Sequence, residues 1–195
     1  MTRRPLIAIG LVLIAAALAV SCGKKESGPA AQLPGQPKHD AAVYAKGAEN
    51  LRKLIEAGVL TRDPVACYYA YRIVMGSHSQ TGLVAAASVA DYDTNRIRKH
   101  EFTRPDKEDD RVRQIDALNA QTGPVLLAYP HQAEVDAILA AATQAKPDGD
   151  GVAESGVRHT LWVIEDAAPL ARLTELFAAM PALYIADGHH RSASA

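Results

Sequence analysis

The chain has 195 residues, a net charge of -1 and a pI near 6.6, so it can bury a core and carries no general basic footprint for nucleic acid. Hydrophobic residues make up 48% but aromatic residues only 5%, which calls for a core of Ala, Val, Leu and Ile. Its two cysteines, Cys22 and Cys67, exclude a disulfide-rich scaffold and give no Cys-x-x-Cys metal spacing.

Arg3 and Arg4 open the chain ahead of an apolar run over residues 6–20. A basic start, a short apolar stretch and small residues after it are the layout of a secretory signal peptide, and the run is short for a membrane-spanning helix. Leu18-Ala19-Val20-Ser21-Cys22 resembles a bacterial lipobox with Cys22 as the lipidated residue, although Ala19 stands where Leu is commonest. Residues 1–22 thus read as a lipoprotein-like signal, and residues 23–38, rich in Gly, Pro, Lys and Gln, as a flexible tether. This places the chain at the cell envelope, attached to a membrane only through its N-terminus.

The body begins at residue 39. Helical spacing over residues 40–57 puts Val43, Ala48, Leu51, Leu54 and Ile55 on one face, with Asp40 as N-cap and Gly58 as stop. A strand is expected over residues 68–74, within a strand-like run that makes Cys67 a buried structural thiol. Residues 75–82 read as a hairpin connection in which His78 is solvated, and residues 83–89 as the returning strand, closed by Asp91-Tyr92-Asp93. Residues 96–113 are the most charged segment. Thr103-Arg104-Pro105-Asp106 resembles a helix start, and Asp106, Glu108, Asp109 and Asp110 suit a helix N-terminus. That explains the acids but not the crowding of Lys99, His100, Glu101 and Arg104 before them. A carboxylate among cations is how a general base is kept ionised beside an anionic substrate.

The helix is expected to stop at Gly123-Pro124, before a strand over residues 125–129. A helix over 133–145 with Val135, Ile138 and Leu139 inward, a Gly/Asp loop over 146–156, a strand over 159–164 and a helix over 167–180 follow. Leu183 to Ala186 reads as a buried strand, Asp187-Gly188 as a turn, and Ser192 onward as the opening of a helix. His189, His190 and Arg191 then lie where a strand hands over to a helix N-terminus, a place predisposed to bind anions. The plainer alternative is a polar turn with solvated basic residues. The interleaving gives an α/β fold, or α+β, with a mixed sheet.

Five segments together resemble a known family. They are Tyr-Arg-Ile-Val-Met-Gly with Gln-Thr-Gly-Leu-Val (71–76 and 80–84), Lys-His-Glu-Phe-Thr-Arg-Pro-Asp-Lys-Glu-Asp-Asp-Arg (99–111), Asp-Ala-Leu-Asn-Ala-Gln-Thr-Gly-Pro-Val (116–125), Val-Arg-His-Thr-Leu-Trp-Val (157–163) and Tyr-Ile-Ala-Asp-Gly-His-His-Arg (184–191). Their order and wording resemble the bacterial family catalogued as domain of unknown function 1015, from residue 39 to the end. Family members continue past the position of Ala195 and carry another segment ahead of residue 39, so residues 39–195 are expected to form a partial, incomplete domain of that type. The family's usual setting is cytoplasmic, which stands as the alternative to the envelope.

The Asp-Gly-His-His-Arg segment is in turn similar to the phosphate-binding motif of the ParB/sulfiredoxin-like fold, which includes free-serine kinases. That resemblance implies a phosphate- or nucleotide-binding domain related to small-molecule kinases, with ATP or ADP and Mg2+ as cofactors and a phosphorylated small molecule as ligand. It casts Asp187, Glu101 and His190 as catalytic, and Gly188, His189, Arg191, His100, Arg104 and Lys107 as phosphate- or substrate-binding. A non-catalytic metabolite-sensing module and a lipid-anchored envelope scaffold are the competing readings. The metal question stays open: His189 and His190 are neighbours, and in a strand they would face opposite sides. Magnesium with nucleotide needs only one or two protein carboxylates.

Overall fold

The computed structural model describes residues 40–195; the expected leader, Cys22 and the tether lie outside the described residues. Helix α1 (Ala41–Glu56) precedes a hairpin of β1 (Tyr68–Met75) and β2 (His78–Val84), followed by α2 (Val89–Asp93), β3 (Ile97–Arg98) and α3 (Pro105–Leu118). β4 (Leu126–Ala128), α4 (Ala133–Ala142), β5 (Gly149–Val152), β6 (Arg158–Ile164), α5 (Ala167–Ala179), β7 (Leu183–Asp187) and α6 (His189–Ala193) complete the order. Among the described residues no helix is long and apolar enough to cross a membrane.

The fold is mixed α/β, but the strands form two small sheets rather than one mixed sheet. The first is four-stranded and antiparallel, in the order β2-β1-β6-β5. The second has three strands, β3-β7-β4, with β7 parallel to β3 and antiparallel to β4. Two hairpins account for the separation: β1–β2 and β5–β6 each pair with their sequence neighbour, so the first sheet closes without needing the short strands around β7.

Both sheets share one core. Ala70 lies opposite Trp162 in the β1–β6 ladder, and both side chains are buried. They join Val135 and Leu139 of α4, Leu173 and Leu176 of α5, and Ile97, Leu183 and Ile185 of the second sheet. The Trp162 indole donates to Ala145 O at 2.9 Å, which satisfies its N–H inside the core. A smaller cluster, Leu51, Leu60 and Leu118, lies where α1 meets α3. Tyr44 of α1 donates to Asp110 of α3 at 2.8 Å across the same contact, and burial with that carboxylate pushes the phenol up to about 12.

Several expected boundaries shift. Asp40 does cap α1, its carboxylate accepting Ala42 N–H at 2.8 Å. The buried stripe is Val43, Gly47 and Leu51, one residue per turn, because α3 is the helix packed against α1; Ile55 faces out at 53% exposure. The hairpin turn is only Gly76-Ser77, with Met75 paired to His78, so β2 starts in the stretch expected to be a loop. His78 is exposed there, as a solvated histidine should be. β2 ends at Val84, and Val89 to Asp93 form a helix instead of closing a strand. The Gly/Asp loop over 146–156 contains β5, held to β6 by Arg158 on Asp150 as well as by the ladder. Cys67 precedes β1 and is half-buried rather than buried. β7 is buried on one side only: Leu183 and Ile185 point into the core, while Tyr184 is exposed beneath the Arg98 guanidinium.

Candidate functional site

The second sheet positions the site. β7 ends at Asp187, and Gly188 follows with φ +101°, a left-handed conformation that favours glycine. A side chain there would also displace the Arg191 guanidinium, since a Cβ would lie 2.9 Å from Arg191 Nη2. α6 starts directly after this turn, at His189 rather than Ser192, with Ser192 N–H donating to Gly188 O at 2.9 Å. The two histidines therefore occupy the first turn of a helix, at the expected handover from strand to helix. With five residues, α6 has little dipole to offer, so any anion reading rests on side chains.

Both histidines reach across to the connection between β3 and α3. His189 is buried, and its Nε2 accepts the backbone N–H of His100 at 3.4 Å. His190 Nε2 accepts the backbone N–H of Arg104 at 3.1 Å. A ring nitrogen that accepts a hydrogen bond carries no proton, so each neutral ring holds its proton on Nδ1. His189 Nδ1 lies 3.4 Å from Glu101 Oε2, and the His100 ring meets the His189 ring edge-on with centroids 4.4 Å apart. His100, Glu101 and His189 thus converge, and one ligand atom from each lies within 4.8 Å of the others. Ser194 ties α6 to α3, its hydroxyl reaching His190 O at 2.7 Å and Glu108 O at 3.2 Å.

Arg191 makes a separate set of contacts. Its guanidinium pairs with Asp187 and folds over two glycines, Gly188 and Gly123. At Gly123 a Cβ would lie 2.6 Å from Arg191 Cδ, so glycine there makes room for the stem. Gln121 donates to Arg191 O at 3.3 Å and accepts Gly123 N–H at 3.4 Å, fixing the loop before β4 against α6. Arg191 Nε is shut off from solvent and has no hydrogen-bond partner among the described residues. Asp187 remains largely exposed, at 72% of its side chain.

The other expected residues are more loosely placed. Arg104 precedes the first turn of α3 and forks onto Asp106 at 3.1 and 2.9 Å. Desolvation opposes the Asp106 charge, but the hydrogen bonds and charge of Arg104 hold its carboxyl below the usual range. Lys107 is exposed on the first turn of α3, and its contact with the turn is a backbone bond to Arg104 O. Lys99 lies over the Tyr92 ring, 3.7 Å from its centroid. Gln121 and Gly123 contact Arg191, which a helix stop at Gly123-Pro124 does not anticipate. The one signal for them in the sequence is that they fall within the family-like segment 116–125.

A family model described as protein of unknown function (DUF1015) matches residues 27–195, beginning closer to the N-terminus than residue 39. No curated protein matches the chain, and no solved structure does. The family match spans most of the chain, including every residue around the Asp187-to-Arg191 turn, and the chain therefore belongs to the DUF1015 family.

Proposed function

We propose that the turn from Asp187 to Arg191 and the facing β3–α3 connection form a phosphate-handling site, related to that of small-molecule kinases, that takes ATP or ADP with Mg2+ and a serine-like hydroxyl acceptor. The observation that carries this reading is Arg191. A buried, unpartnered guanidinium Nε costs about 1–3 kcal/mol, and a modest shift of the side chain toward an anion would give it an acceptor. Asp187, exposed beside it, is a suitable carboxylate for magnesium, which needs few protein ligands when phosphates supply the rest. Arg104 adds a second guanidinium at the facing helix start. The similarity of Asp-Gly-His-His-Arg to the phosphate-binding motif of the ParB/sulfiredoxin-like fold points the same way.

In the transfer, the acceptor hydroxyl gives its proton to Glu101 as its oxygen bonds the terminal phosphorus. The bond from that phosphorus to the bridging oxygen breaks, and ADP leaves. The chain's part is positioning and charge neutralisation, which is most of what phosphoryl transfer requires. Magnesium, when bound, neutralises phosphate charge. Calorimetry of the full chain with MgADP tests the reading: Arg191→Ala and Asp187→Ala should each weaken binding by about tenfold or more. Glu101→Ala should leave binding intact and abolish transfer from ATP to serine. No MgADP binding by the wild-type chain would sink the proposal.

A non-catalytic sensor of a phosphorylated metabolite is the second reading. It is favoured by the 61% exposure of the Glu101 side chain, since phosphoryl transfer must keep water from competing with the acceptor. Binding without turnover, unchanged by Glu101→Ala, would select it. The envelope reading, with Cys22 as a lipid anchor, is tested separately by globomycin: an unprocessed precursor should accumulate if Cys22 is lipidated.

A further inference from the structure

We infer that His100, Glu101 and His189 form a binding site for a d-block divalent cation, of the zinc, cobalt or manganese class. Two imidazoles and one carboxylate are a donor set for such ions, whereas magnesium and calcium prefer oxygen ligands throughout. Metal–ligand bonds of about 2.0–2.2 Å place neighbouring donor atoms of a tetrahedral site about 3.4 Å apart. His189 Nδ1 and Glu101 Oε2 are already 3.4 Å apart. His100 Nε2 is 3.9 Å from the other oxygen of that carboxylate, Oε1. One ligand atom from each of the three lies within 4.8 Å of the others, so the exposed His100 and Glu101 side chains must draw inward to complete the trio.

The three ligands differ in a way that suits an ion site open to solvent. His189 is buried, with its side chain 4% exposed, and is held by the turn after β7. His100 and Glu101 are adjacent on the β3–α3 connection and 60% and 61% exposed. One rigid ligand and two adjustable ones can close on an ion and leave the remaining positions to water or a substrate. The neighbouring cations are engaged elsewhere, Lys99 over Tyr92 and Arg104 on Asp106.

Binding carries one identifiable cost. His189 must present a bare Nδ1, so its proton moves to Nε2 and the bond from His100 N–H is lost. At 3.4 Å that bond is long, and His100 lies on an exposed connection free to adjust. An ion here takes Glu101 as a ligand, so the role of this carboxylate as a free base and its role as a ligand exclude each other.

The test uses the tag-free full chain. After dialysis against Zn(II), Co(II), Mn(II) or Mg(II), bound metal is counted by mass spectrometry, and zinc affinity is measured by calorimetry without nucleotide. About one zinc or cobalt per chain is expected, with magnesium not retained. His100→Ala and Glu101→Gln change exposed side chains and should leave the fold intact while weakening zinc by about 10- to 100-fold or more. Glu101→Gln should also shift the visible absorption of the Co(II) form, and His131→Ala should change neither measurement. Failure to retain zinc or cobalt, or undiminished affinity in both His100→Ala and Glu101→Gln, would overturn the site. Phosphate handling is read by MgADP binding through Arg191 and Asp187, so either inference can fail while the other stands.

Discussion

Gly188 and Arg191 constrain each other at the site. The glycine supplies the positive φ that turns β7 into α6, and the guanidinium lies where its missing Cβ would project. The dipeptide Asp187-Gly188 announces a turn in the sequence, because glycine adopts this conformation without steric cost. Nothing local announces that Gly123, 68 residues away by number (191 − 123), makes room for the same arginine. Gly188→Ala is expected to cost about 1–3 kcal/mol, from backbone strain and a displaced Arg191. Gly76→Ala also meets a positive φ, +59°, but opens into free space and should cost about 1 kcal/mol. Urea midpoints compare the two; equal losses would mean that the Arg191 contact contributes nothing.

At the level of elements, the second sheet is short and depends on polar anchors. β3 is only Ile97–Arg98, and the residue before it, Arg96, reaches the open C-terminal end of α5. Its guanidinium donates to Phe177 O at 2.6 Å, Ala178 O at 3.2 Å and Met180 O at 3.0 Å, and pairs with Asp91 at 2.6 Å. Helix C-termini expose carbonyls without intrahelical partners, and one planar fork satisfies several here. Arg96→Ala should therefore destabilise by about 2–3 kcal/mol. Arg96→Lys should recover only part, because an ammonium cannot span the same carbonyls. Denaturation with hydrogen exchange at the end of α5 checks this: protection there should fall before the core is exposed. The long helices were legible because apolar residues recur at helical spacing and capping signals flank them. β3 and β5 were not, since a short strand has too few residues to show a period and is defined by its partner.

Across the whole molecule, many charges are paired on the surface. Hydrogen bonds and charge from Lys53 and Lys46 bring Glu49 down to about 2, Arg172 lowers Glu134, and Arg158 lowers Asp150. A carboxylate depressed in the folded state binds fewer protons than in the unfolded chain, so it adds stability above the unfolded value that is lost as pH falls. The melting temperature should drop between pH 4.5 and about 2, and salt should shrink the drop because these pairs face solvent. A melting temperature flat over that interval would contradict the pairing. Composition and periodicity were enough to establish an alternating α/β chain, the cap at Asp40, the helix start at Pro105 and the strand-to-helix turn at Asp187-Gly188, because each depends on residues close in sequence. Which strands share a sheet, that His189 and His190 accept from the backbone of the β3–α3 connection, and that His100, Glu101 and His189 meet depend on packing between distant segments. Local pattern carries no such information, since those contacts exist only once a common core has brought β3 alongside β7.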